Sequence, residues 1–232
     1  MHIDLRTPLP FVIMSEPGDL RWTRIRWEQC SHSPYGDVVY FNGHFYAVDY
    51  LGRVLVCDVA GPKPTRSHIV AQLPGDRLHQ LYILESLGSL FVVVRDGVQV
   101  RHVKDDCDRI PLTILPESNI KEDVTYGTTN FRVFQVDLAA GKATQTRELG
   151  DSFFFLVLYN ASLSVQASQF PGIKPNFIYF TDDFWETYLA YAEGGGLDMG
   201  VFYLADGSIQ PHYKGVSLSR VCPPTWVTPT VY

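Results

Sequence analysis

Asn42-Gly43 separates two runs rich in β-branched and aromatic residues, Asp37-Val-Val-Tyr-Phe41 and His44-Phe-Tyr-Ala-Val-Asp49. Both turn residues tolerate positive φ, so the pattern specifies a tight antiparallel hairpin. A third run, Arg53-Val-Leu-Val-Cys-Asp58, follows a turn at Gly52, and a fourth, His68-Ile-Val-Ala-Gln-Leu73, follows the break at Gly61, Pro62 and Pro64. Four short antiparallel strands joined by turns make one propeller blade. The order then returns: Leu81-Tyr-Ile-Leu-Glu85 and Leu90-Phe-Val-Val-Val-Arg95 around Gly88, then Phe131-Arg-Val-Phe-Gln-Val-Asp137 and Ala143-Thr-Gln-Thr-Arg-Glu-Leu149 around Gly141. A third copy reads Phe153-Phe-Phe-Leu-Val-Leu158, Leu163-Ser-Val-Gln-Ala167, Asn176-Phe-Ile-Tyr-Phe-Thr-Asp182 and Val201-Phe-Tyr-Leu204, with a hairpin from Val201 to Ile209 through Asp206-Gly207 as the alternative register. Phe11-Val-Ile-Met14 and Arg21-Trp-Thr-Arg-Ile-Arg-Trp27 supply half a blade upstream. A repeat of about 40–45 residues is the spacing of four-stranded propeller blades. The expectation is an all-β, propeller-like chain of about three and a half blades over residues 11–229, possessing a closing strand near Pro223-Pro-Thr-Trp226.

Composition agrees. The 232 residues are 46% hydrophobic, 19% charged and 13% aromatic, a globular balance that favours pleated, half-buried surfaces. A net charge of −6 argues against nucleic acid and against an anionic membrane surface as partners. No run of about 18 apolar residues is present to span a bilayer. The first residues lack the basic and apolar regions of a signal peptide, and Cys30, Cys57, Cys107 and Cys222 form no CxxC pair. These features lead to the expectation of a soluble cytoplasmic or nuclear protein with reduced thiols and no cofactor.

Two stretches interrupt the repeat. Residues 96–130 read as a polar loop inserted between strands, carrying Asp105, Asp106, Cys107 and Asp108. Residues 184–200 hold Trp185, Tyr188 and Tyr191 and then Gly194-Gly-Gly196, a short helix followed by a flexible hinge. Exposed aromatics beside acids are common anchors of protein interfaces. Trp185, Tyr188, Tyr191, Asp105 and Asp106 are therefore the candidate partner-binding residues, with core packing as the competing role for the aromatics.

Catalytic and metal readings are weaker. Asp182, Asp183, Glu186 and Asp198 are the carboxylates a propeller hydrolase would need, but neighbours on an extended strand point to opposite faces. A calcium loop starting at Asp106 would place Ile110 fifth and Pro111 sixth, where an oxygen ligand and a glycine belong. No nucleophile elbow, phosphate loop or dinucleotide fingerprint occurs, so no catalytic residue and no metal ligand is assigned.

Several ordered motifs carry a family likeness. Asp37-Val-Val-Tyr-Phe-Asn-Gly-His-Phe-Tyr-Ala-Val-Asp-Tyr-Leu-Gly52, Leu149-Gly-Asp151, Phe170-Pro-Gly172, Asn176-Phe-Ile-Tyr-Phe-Thr-Asp-Asp183 and Pro223-Pro-Thr-Trp226 resemble the plant F-box-associated propeller family, the KIB-type domain. The segment Pro17-Gly-Asp-Leu-Arg-Trp22-Thr resembles the one that precedes that signature. The resemblance implies a substrate-capturing propeller that, in family members, follows an F-box motif docking a Skp-type adaptor and cullin ligase. No Leu-Pro-rich helical F-box segment is recognised here, so the chain is expected to look like the C-terminal portion of such a protein, without adaptor docking. The expected function is protein binding rather than catalysis, with a propeller hydrolase and a non-functional fragment as alternatives.

Overall fold

The computed structural model describes residues 12–14, 23–25, 35–58, 66–75, 80–97, 127–157, 162–182 and 198–211. The expected insertions over residues 98–126 and 183–197, and the tryptophans, lie outside the described residues. The chain divides into two compact units, one of residues 1–94, 132–147 and 158–164, the other of residues 95–131, 148–157 and 165–232. Among the described residues no helix is long and apolar enough to cross a membrane.

In the first unit, β1 (Val12–Met14) and β2 (Thr23–Ile25) pair antiparallel, as the upstream half blade requires. Next come β3 (Tyr35–Phe41), β4 (His44–Asp49), β5 (Arg53–Asp58) and β6 (Arg66–Gln72), an antiparallel meander. Asn42 and Gly43, at φ 47° and 83°, make the β3–β4 turn, whose twist matches that of the flanking strands. The β4–β5 turn is closed by Asp49, whose buried carboxylate accepts the Leu51 and Arg53 amides at 3.0 Å each and pairs with the Arg53 guanidinium at 2.6 Å.

A second meander follows: β7 (Gln80–Ser86), β8 (Ser89–Asp96), β9 (Asn130–Asp137) and β10 (Lys142–Thr146). Together the eight strands run β3-β4-β5-β6-β10-β9-β8-β7, and the two blades meet at their last strands through one parallel pair, Gln72 with Lys142. Their first strands approach closely, since a Cβ on Gly36 would lie 3.0 Å from that of Leu81. There the buried Asp37 carboxylate accepts the Ile83 amide at 3.1 Å, so a polar strand residue is satisfied across the blade boundary. Between the blades lies one apolar cluster that includes Val48, Val54, Val56, Leu81, Ile83, Val92, Val94 and Phe134. Because blades are covered on both faces, β8 is buried along nearly its whole length instead of alternating.

The remaining elements are β11 (Ser152–Leu156), β12 (Leu163–Gln166), a 3-10 turn (Ala167–Gln169), β13 (Phe177–Phe180), β14 (Gly200–Tyr203) and β15 (Ile209–Pro211). Their order is β12-β11-β13-β14-β15. This corrects the expected third copy in two respects. The sheet has five strands, and β11 runs parallel to β13, with Phe154, Phe155 and Leu156 opposite Ile178, Tyr179 and Phe180. The chain turns back through β12 and the 3-10 turn before entering β13, which reverses it twice between the two partners. Asn176, at φ 67°, fixes that entry: its amide donates to Ser152 O at 2.8 Å and its side chain accepts the Leu149 amide at 2.6 Å. The alternative hairpin is observed as β14–β15, turning at Asp206-Gly207 with Gly207 at φ 74°.

Candidate interaction surface

The two interruptions of the repeat leave the sheets at comparable joints. One departs from the end of β8 and returns at β9; the other departs after β13 and returns at β14. The first joint follows Asp96, the last residue of β8; the second follows Phe180, the last residue of β13, by way of Thr181 and Asp182. At the first joint the Thr129 amide donates to Asp96 O at 2.9 Å. Gly97, at φ 97°, accommodates this closure: a Cβ there would run into Thr129.

Arg95 stands where these ends come together. Its side chain is 1% exposed, at the end of a strand whose other interior residues are apolar. Nε donates to Thr128 Oγ1 at 2.7 Å, one terminal nitrogen to Thr181 O at 2.9 Å, and the other to Asp198 Oδ2 at 2.8 Å and Asp198 O at 3.2 Å. The Thr128 hydroxyl in turn donates to Asp198 Oδ2 at 2.7 Å, so the three side chains form a closed ring. Beneath lies the Phe180 ring, 4.9 Å from the guanidinium carbon, with Phe131 packed on Phe180 and Phe202 at 5.1 and 5.2 Å. A planar fork over an aromatic face suits arginine and not lysine.

Trp185, Tyr188, Tyr191, Asp105 and Asp106 lie outside the described residues, as do Asp183 and Glu186. Of the carboxylates considered for hydrolysis, Asp182 is fully buried and Asp198 is engaged by Arg95 and Thr128. Among the described residues no group of three or more His, Cys, Asp or Glu side chains is placed to hold a metal ion. Sequence reasoning had Asp198 only as a carboxylate and did not single out Arg95. The available signal was a lone cation ending the run Leu90-Phe-Val-Val-Val, since an arginine is seldom buried unless paired.

Electrostatic perturbation elsewhere in this unit is modest. Burial pushes the Tyr179 phenol above its ordinary 10.0, and the nearby Tyr203 adds to the effect. Hydrogen bonds from the Ser208 hydroxyl and amide hold the exposed Asp206 carboxyl below its ordinary 3.8.

Comparison with known proteins gives a consistent picture. The model of the KIB1-4 beta-propeller family matches residues 2–203. The chain is 23% identical over 215 residues to the Arabidopsis thaliana protein named "Putative F-box protein At5g55150", covering 92% of this chain and 51% of that protein. It is 25% identical over 202 residues to "F-box protein At4g35733" of the same plant, covering 84% of this chain and 46% of that one. The chain thus spans about half the length of these curated relatives. No solved structure matches it.

Proposed function

Since the chain belongs to the KIB1-4 beta-propeller family, we propose that it is a protein-binding module that captures a partner as the recognition part of a ubiquitin-ligase subunit would. The observation that carries the reading is the Arg95 cluster, to which both interruptions of the repeat are rooted. Binding is assigned to the segments between those roots, with Trp185, Tyr188 and Tyr191 as apolar anchors and Asp105 and Asp106 as charged contacts. Acidic contacts on a chain of net charge −6 favour a partner patch rich in Lys and Arg, with association that slows as salt rises. The module works in the cytoplasm or nucleus, and it acts without cofactor or catalysis.

Affinity capture from plant-cell extract, with bound proteins identified by mass spectrometry, tests this. One variant carries Trp185→Ala and Tyr188→Ala, a second Asp105→Lys and Asp106→Lys. A partner retained by the native chain and lost by either variant supports the assignment. An identical set of bound proteins on all three chains refutes it. Recovery of a Skp-type adaptor and cullin with the native chain would make it a working ligase subunit.

A further inference from the structure

The guanidinium of Arg95 donates to acceptors on chain segments that lead into or out of the two interruptions. Arg95 itself precedes the first, and Thr128 follows it. Thr181 precedes the second, and Asp198 follows it. Different nitrogens of the fork serve different segments, so an end that moves away takes an acceptor from a buried cation. At 1% exposure, water offers little replacement. Nor is such an arrangement explained by stability alone, because apolar side chains of similar volume often replace a buried ion pair without loss.

We infer that Arg95 is a positioning residue that couples the two joints, so that a disturbance at either is transmitted to the other. The inference deepens the recognition reading and relies on it only for the use to which the coupling is put: one composite surface in place of two independent loops. Thr128 is the connecting member, accepting from Arg95 and donating to Asp198 through a single hydroxyl.

Hydrogen exchange with mass spectrometry on the full chain tests the coupling without any partner. The readouts are peptides covering residues 127–131 and 198–202, with residues 45–57 as an internal reference. Thr128→Val keeps the shape and the ion pair but removes two hydrogen bonds. The result expected is exchange faster by about tenfold in both readout peptides, the factor for roughly 1.4 kcal/mol, with the reference unchanged. Asp198→Asn is expected to act on the same two peptides. Arg95→Lys keeps the charge but not the fork, and is expected to uncouple them as well.

Acceleration confined to the substituted joint would overturn the inference, and so would equal acceleration of the reference peptide, which reports general loosening. Should Asp198→Asn or Arg95→Lys fail to fold, the isosteric Thr128→Val decides alone. The two readings fail separately: unchanged partner capture removes the recognition role and leaves the exchange result standing, while uncoupled exchange removes the coupling and leaves capture untouched.

Discussion

Asp198→Asn removes a charge while keeping the shape of the side chain, and its cost follows from what Arg95 retains. The carboxylate accepts from the guanidinium at 2.8 Å and from the Thr128 hydroxyl at 2.7 Å, with the two ionic side chains 1% and 12% exposed. The asparagine oxygen still accepts, so the loss is mainly that of the countercharge. Stranding one member of a buried pair costs about 3–5 kcal/mol. The carbonyls of Thr181 and Asp198 and the face of Phe180 still hold the cation, and Asp198 has one edge in water, which places the cost near about 3 kcal/mol. For a chain of this length each kcal/mol moves the melting temperature by about 2–4 °C, so a fall of roughly 6–12 °C is expected. Calorimetry and urea unfolding followed by tryptophan fluorescence measure it. Arg95→Met combined with Asp198→Leu provides the complement. With both charges gone, the double variant is expected within about 1 kcal/mol of the native chain, because unpaired acceptors at Thr128 and Thr181 offset the gain from dehydrated apolar contact. A loss below about 0.5 kcal/mol for Asp198→Asn would refute the reasoning, since it would mean that the pair behaves as a surface ion pair.

Leu87 holds φ 49° in the β7–β8 turn while 52% exposed, the position that Asn42 fills in the first blade. Leu87→Asn is therefore expected to stabilise by about 0.5–1 kcal/mol in urea unfolding, and a loss would contradict the strain assigned to that turn. Gly200 leaves no room for a side chain, because a Cβ would sit 2.6 Å from Gln210 O and 3.2 Å from Phe180. Gly200→Ala is expected to cost about 1–3 kcal/mol and to raise exchange in β14 and β15; native-like protection there would show that the strands give way freely. Tyr179 has a folded pKa above its unfolded value of 10.0, so its contribution is fully present below that pH and lost as pH rises through the folded value. Tyr179→Phe is expected to flatten the alkaline limb of a stability profile from about pH 8 to about pH 11, and an unaltered limb would count against burial as the cause.

Much of the fold is legible because its turns are local. Asn42-Gly43 and the Asp49 turn state their φ requirements in the residues themselves, and the strands on either side fall where the apolar runs begin and end. The parallel pairing of β11 with β13 was not legible, since an apolar run such as Phe153–Phe155 fits a parallel or an antiparallel neighbour equally well. Pairing direction depends on where the chain turns, and here Asn176 does the turning through positive φ and two hydrogen bonds to residues more than twenty positions upstream. The polar cluster was hidden for a related reason. Arg95 and Asp198 are separated by 103 positions, and nothing near either names the other. What sequence does carry is the anomaly, a charged residue at the end of a buried strand, and such an anomaly is a question about its partner.

The joints themselves explain why long insertions are tolerated there. In the first blade, three residues, 50–52, connect β4 to β5, and Asp49 satisfies the turn amides. In the second blade the equivalent connection from Asp96 to Thr129 spans thirty-two residues, 97–128, yet the Thr129 amide still reaches Asp96 O. Closure entropy rises only with the logarithm of length, so lengthening from three to thirty-two residues costs about 2 kcal/mol. A charge-assisted hydrogen bond contributes roughly 1.5–3 kcal/mol, and the Arg95 ring supplies more than one at the base of the loop. The ladder therefore closes at the joint whatever lies beyond it. Replacing residues 99–125 with a linker of about five Gly and Ser residues should then leave the ring intact and raise stability by about 1 kcal/mol, as ten residues in place of thirty-two require. Urea unfolding of that variant settles the matter: a loss beyond about 1 kcal/mol would mean that the segment packs on the sheet and that Arg95 does not close the joint by itself.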